Sequence, residues 1–263
     1  MLKTMSNKQG GVTLVELIVG SAVGLIVLAG ILATYVSVAR SSSEVLASAK
    51  LNAELRAAMD MMVRDIRRAG SWTATALERE NGKNPFTQRM DPPTDGSTIH
   101  TDITIHDGGK AIEFSYNGSF LSSAEGTVFG YRLDEKAIKT LQCNIDSTQP
   151  SQCQALNLLT TGWEKLTDDN NVVIEALTFS TLGSRCMNLT NSGQTWVVST
   201  ASILPACNSA TTGYVATTND RLLEKRQIRI RLVGRLKELP EFTMTLEQAV
   251  LLPNDRVFNV PAP

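Results

Sequence analysis

The 263 residues include only two histidines and four cysteines, and that scarcity removes most routes to a metal or acid–base site. His100 and His106 have no third candidate ligand beside them, whereas a protein zinc centre takes three or four. Cys143, Cys153, Cys186 and Cys207 contain no Cys-x-x-Cys spacing. No nucleophile motif, phosphate-cradling glycine loop or internal repeat occurs. Asp168-Asp-Asn-Asn171 lacks the alternating ligands and glycine of a calcium loop and reads as a solvated turn. Asn117-Gly-Ser119 and Asn188-Leu-Thr190 fit the N-glycosylation pattern, which is short enough to arise by chance. A formal net charge of −1 gives no support for a nucleic-acid partner. The composition therefore points to a protein without cofactor or metal, and not to an enzyme.

A further absence is more informative. From Leu17 to Ala39 there is no Asp, Glu, Lys, Arg or His. A membrane-spanning helix needs about 20 predominantly apolar residues, so this run qualifies. Lys3 and Lys8 are the only charged residues of the short leader before it, which places the N-terminal flank in the cytosol and everything after Arg40 across the membrane. Gly20 and Gly24 are spaced for close helix–helix approach in lipid. At the mouth of the run stands Glu16. A carboxylate toward the centre of a membrane helix costs about 2.5–3.5 kcal/mol on insertion scales, so it is a functional-site candidate by default.

A secretory signal would be shorter and would end at a small-residue cleavage site. A plain anchor gives no reason for Glu16. The stretch Gly11-Val12-Thr13-Leu14-Val15-Glu16-Leu17, followed by the apolar run, resembles the start of a type IV prepilin. That resemblance implies cleavage after Gly11 by prepilin peptidase, N-methylation of Val12 as the new first residue, and a docking role for Glu16 within the filament. Cleavage would create an amine on Val12, four residues before Glu16 and on the same helical face. It would neutralise Glu16 of its own or a neighbouring subunit, and such a dry ion pair is favourable only with both partners present.

Beyond Arg40 the pattern becomes amphipathic. Leu51, Leu55, Met59, Met62, Ile66 and Ala69 recur every three or four residues, with charges on the other faces. Arg67 and Arg68 suit a helix C-terminus, and Gly70 supplies the stop. One helix from Val12 to Ala69 is expected, on the order of 85 Å long. The segment Arg64-Asp-Ile-Arg-Arg-Ala-Gly-Ser-Trp72 resembles the helix end of PilW-type minor pilins. That likeness implies a subunit that helps initiate pilus assembly at or near the tip. Its partners would be other minor pilins, the major pilin, the inner-membrane assembly platform and a tip adhesin, with twitching motility or cell adhesion downstream. A J-type pseudopilin of type II secretion and a membrane-tethered adhesin are the alternatives.

The expected architecture is α+β and type IV pilin-like. It comprises a leader (1–11), a long helix (12–70, with 12–39 membrane-spanning and 40–70 amphipathic) and a periplasmic, mainly antiparallel β head (71–263). Strand candidates are Thr101–Ile105, Ala111–Tyr116, Thr127–Leu133, Ala137–Gln142, Val172–Leu182, Thr195–Ser199, Gln227–Leu236 and Phe242–Leu251. Asp134-Glu-Lys136 reads as a hairpin turn. The oxidising periplasm favours disulfides. Cys143–Cys153 and Cys186–Cys207 are preferred among the three pairings, because each brackets a turn-rich loop. Arg221 to Lys237 is a basic stripe, with Ile228, Ile230 and Leu232 alternating against Arg229 and Arg231. It is expected to be an edge strand guarded by charge, with an acidic neighbouring subunit as the second reading and DNA phosphates as a distant third.

Overall fold

A computed structural model describes residues 11–71, 103–116, 127–144, 162–190, 195–199, 207, 220–253 and 255–259. The chain divides into two units, Met1–Ala49 and Lys50–Pro263. A single helix, α1 (Leu14–Arg68), begins in the first and ends in the second.

Within the first unit almost every side chain of α1 is exposed, including Leu17, Leu25, Ile26 and Leu32. A helix that is apolar all round is stable only where apolar surroundings cover it. By length and composition it is long enough to cross a membrane. Two of its hydroxyls bond within the helix: Ser21 Oγ donates to the Ile18 carbonyl at 2.9 Å and Thr34 Oγ1 to that of Gly30 at 2.8 Å. Such bonds let a hydroxyl enter apolar surroundings with its donor satisfied.

Within the second unit α1 becomes one-sided. Leu51, Leu55, Ala58, Met59, Met62, Val63 and Ile66 are buried, the three- and four-residue rhythm of a single core face. Gly70 adopts φ 73° and ends the helix, with Ser71 N donating to the Arg68 carbonyl at 2.9 Å.

The strands follow as β1 (Thr104–His106), β2 (Ala111–Tyr116), β3 (Thr127–Asp134), β4 (Ala137–Asn144), β5 (Glu164–Lys165) and β6 (Val172–Ser180). After these come β7 (Arg185–Asn188), β8 (Val197–Val198), β9 (Arg221–Lys225), β10 (Gln227–Leu236), β11 (Thr243–Leu251) and β12 (Arg256–Asn259). Among the described residues they form three antiparallel sheets, ordered β1-β2-β3-β4-β5, β11-β10-β6 and β12-β9-β7-β8. The fold is α+β, a long helix packed on antiparallel sheets.

The helix meets the first sheet through Tyr131, whose hydroxyl bonds Asp65, and through Arg68, which lies 4.7 Å over the Tyr116 ring. Phe114, Tyr116, Phe129 and Tyr131 stack beside one another on that sheet. Against the second sheet, Leu55 sits over Gly234, amid buried Ile174, Leu177, Ile230 and Leu232. Ile174 N donates to the Lys136 carbonyl at 2.8 Å, tying β6 to the β3–β4 turn.

Two expectations need correction. The basic stripe is not one edge strand. Arg221–Lys225 is β9, and Gln227–Leu236 is β10, the middle strand of its sheet. Alternation of Ile and Arg reports that one face is solvated, not that a strand lacks a neighbour. The arginines are accommodated laterally, Arg231 by Glu247 at 3.1 Å and Arg235 by Glu175 at 2.7 Å. Further, α1 starts at Leu14, leaving Val12 outside the helix, because Thr13 caps it.

Candidate processing and docking site

Thr13 and Glu16 form a reciprocal pair at the start of α1. Thr13 N and Thr13 Oγ1 both donate to Glu16 Oε2, at 3.1 and 3.0 Å, while Glu16 N donates to Thr13 Oγ1 at 3.3 Å. The Thr13 carbonyl accepts the first helical bond from Leu17 N at 3.2 Å. This is a capping box, in which the N-cap hydroxyl and the acid three residues on satisfy each other's orphan amides. The carboxylate also lies where the helix dipole favours negative charge.

The consequence for geometry is direct. Gly11 and Val12 lie ahead of the helix in non-helical, exposed backbone. The Gly11–Val12 bond therefore lies outside the helical hydrogen bonding of α1. In the uncut chain the four-residue helical relation between Val12 and Glu16 does not hold, and the Glu16 carboxylate rests on Thr13 instead. Thr13 is the residue the sequence reading passed over. The Thr-x-x-Glu spacing was the signal that could have found it.

A model of the prepilin peptidase-dependent protein B family matches residues 44–252, and the prokaryotic N-terminal methylation motif matches residues 6–32. The chain belongs to the prepilin peptidase-dependent protein B family. It is thus a prepilin-like protein carrying an N-terminal methylation motif, with one helix long and apolar enough to cross a membrane. It is also similar to the type IV-like pilin TTHA1219 from Thermus thermophilus. There the identity is 12% over 77% of this chain and 95% of that one, with a TM-score of 0.33, a likeness too loose to carry an inference. No curated protein matches it.

The other candidate residues of this family member fall as follows. Cys186, buried on β7, and Cys207 form a disulfide with a Cα–Cα distance of 5.0 Å. Cys143 lies on β4, and Cys153, its expected partner, is outside the described residues. His100 and Asn117 are outside them too. His106 faces Glu113, with Nε2 3.0 Å from Oε2, an ion-pair distance poorly aligned for a hydrogen bond. The Glu113 carboxylate pushes the His106 pKa up, against the opposing effect of burial, and Asp107 adds to the rise. Asn188 is buried and its side-chain oxygen accepts from Thr190 N at 2.8 Å, so it is no surface glycan acceptor. Asp168 closes its own turn by accepting from Asn170 N at 3.0 Å, which holds its carboxyl below the usual range. Among the described residues no group of three His, Cys, Asp or Glu side chains could hold a metal ion.

Proposed function

We propose that this chain is a minor pilin of the PilW type. Prepilin peptidase cuts it after Gly11, Val12 is methylated, and the mature subunit helps initiate a type IV pilus at or near its tip. The head faces the periplasm before assembly. Its partners are other minor pilins, the major pilin, the inner-membrane assembly platform and a tip adhesin. It serves as a structural subunit and a peptidase substrate, not as an enzyme.

The observation that carries this reading is the order of features at the N-terminus. A non-helical Gly11–Val12 bond is followed at once by the Thr13–Glu16 cap and then by a helix with no charge until Arg40. Cutting that bond leaves an amine beside a carboxylate already held at the helix start. In a dry bundle of helices the amine and a Glu16 compensate each other, within one subunit or between two.

Mass spectrometry of the mature N-terminus tests the reading. The protein is expected to begin at Val12 with one added methyl. Glu16→Ala should still be cut but enter filaments poorly, whereas substitutions at Gly11 should leave the precursor whole. Working fibres that keep the first eleven residues would overturn it.

A further inference from the structure

Among the described residues, strand β11 is an open sheet edge, nine residues long and little defended. Leu236 N donates to the Phe242 carbonyl at 3.2 Å and Leu252 N to the Arg226 carbonyl at 3.0 Å. Those bonds set the phase of the β10–β11 ladder: even-numbered residues of β11 bond inward. Thr245, Glu247, Ala249 and Leu251 therefore turn their amides and carbonyls outward, and all four are exposed; the Thr243 amide is taken by the Glu241 carbonyl at 3.1 Å. No strand among the described residues lies outside them.

Sheet edges are normally blunted by Lys, Pro, a bulge or shortness. None of these applies between Thr243 and Leu251. The register with β10 is unbroken from Thr243 to Leu251. The only charged side chain, Glu247, is neutralised by Arg231 at 3.1 Å. The opposite edge of the same sheet is treated differently. There β6 carries a register shift opposite Val233 and Gly234, and Ile174 N is taken by Lys136.

Charge indicates what the edge receives. Antiparallel pairing of β11 with a second copy over its full length would set Glu247 against Glu247, and like charges directly opposite are destabilising. Arg229 is exposed and has no acidic partner among the described residues. Its neighbour across the ladder is Ala249, too short to cover it. A carboxylate on an added strand opposite Ala249 would stand about 10 Å away by strand spacing, a gap that an Arg and a Glu side chain close together.

We propose that β11 is a docking edge that accepts an acid-bearing β-strand from the head of a different pilin-like subunit, by main-chain pairing. The partner class rests on the pilin reading above; the edge and its charge preference do not.

The test uses the full chain in cells that assemble filaments. Thr245→p-benzoyl-phenylalanine places a photo-cross-linker on β11. The expected product joins this chain to a second protein bearing a prepilin methylation motif, through a peptide containing Asp or Glu. Ala249→Pro removes one outward amide and no β10 bond, because Pro is tolerated where the amide faces away from the ladder. It should lower the cross-link at least tenfold, as should Arg229→Glu, with the thermal midpoint in detergent and cleavage after Gly11 unchanged. A cross-link only to second copies, one indifferent to Ala249→Pro, or none in cells that cut the chain normally would overturn the docking edge alone. A wild-type chain that retains its leader would overturn the pilin reading instead.

Discussion

Tyr131 donates its hydroxyl to the Asp65 carboxylate, a bond that joins the end of α1 to the middle of β3 across 66 residues of sequence. Tyr131 is fully buried, and burial together with the carboxylate pushes its phenol pKa well up. The proton therefore stays on Tyr131 as donor at any physiological pH. Tyr131→Phe leaves ring packing intact and strands an acceptor, so the head should lose about 1.5–3 kcal/mol, the range for hydrogen bonds to charged groups. In a domain of this size each kcal/mol moves the midpoint by about 2–4 °C. Calorimetry of the full chain in detergent reads it, and an unchanged midpoint would show that the bond contributes nothing.

Gly234 makes room for Leu55. A Cβ added at Gly234 would lie 2.8 Å from Leu55 Cδ2 and 3.1 Å from Cδ1, and Leu55 is fully buried. Gly234→Ala should therefore destabilise by about 1–3 kcal/mol, as overpacked cores do, outweighing the unfolded-state benefit of about 0.4–1 kcal/mol. Leu55→Val in the same chain should recover part of that loss. Simple additivity of the two substitutions in denaturant titrations would argue against the clash, since residues in contact ought to couple.

Local pattern carried much of this fold into the sequence, and non-local pairing carried the rest out of reach. The apolar rhythm from Leu51 to Ile66 marks the buried face of α1 because helical spacing is a property of the segment itself. Alternation likewise marks Ala111–Tyr116 and Gln227–Leu236 as strands. Which strands become neighbours is decided elsewhere in the chain, so nothing local to Arg229 and Arg231 says that β10 is central. Strands such as Glu164–Lys165 and Arg185–Asn188 are too short and polar for a period to show. Glu113 is buried, as are its neighbours Ile112 and Phe114; alternation assigns Glu113 to the solvated face, and what covers that face comes from elsewhere in the chain. At the N-terminus, the Gly11, Val12 and Glu16 spacing was legible and the cap made by Thr13 was equally so.

The His106–Glu113 pair predicts a pH dependence with a definite sign. The folded-state pKa of His106 is raised, with the Glu113 carboxylate as the main cause. Its stabilisation is therefore complete below the unfolded value of about 6.5 and is lost as pH rises through the folded value. Deprotonation leaves the buried Glu113 carboxylate, whose Oε1 has no hydrogen-bond partner among the described residues, without its counter-charge. The midpoint of the wild-type chain relative to His106→Gln should fall as pH is raised from mildly acidic to mildly alkaline. Parallel curves for the two chains would remove His106 as the cause.

Thr13 should matter to docking more than to cutting. Gly11 and Val12 lie ahead of the helix whether or not its first turn is capped, so Thr13→Ala should leave peptidase cleavage near the wild-type rate. What it removes is the hydroxyl that both donates to Glu16 Oε2 and accepts from Glu16 N. Losing a Ser or Thr cap costs a helix about 0.5–2 kcal/mol, and the Glu16 side chain loses one of the two bonds that aim it. Incorporation into filaments should fall several-fold, to a level between wild type and Glu16→Ala. Thr13→Ser keeps the hydroxyl and should restore it. The ratio of filament-borne to membrane-borne protein on immunoblots distinguishes these outcomes. If Ser and Ala behave alike at position 13, the hydroxyl does not prepare Glu16 for its partner.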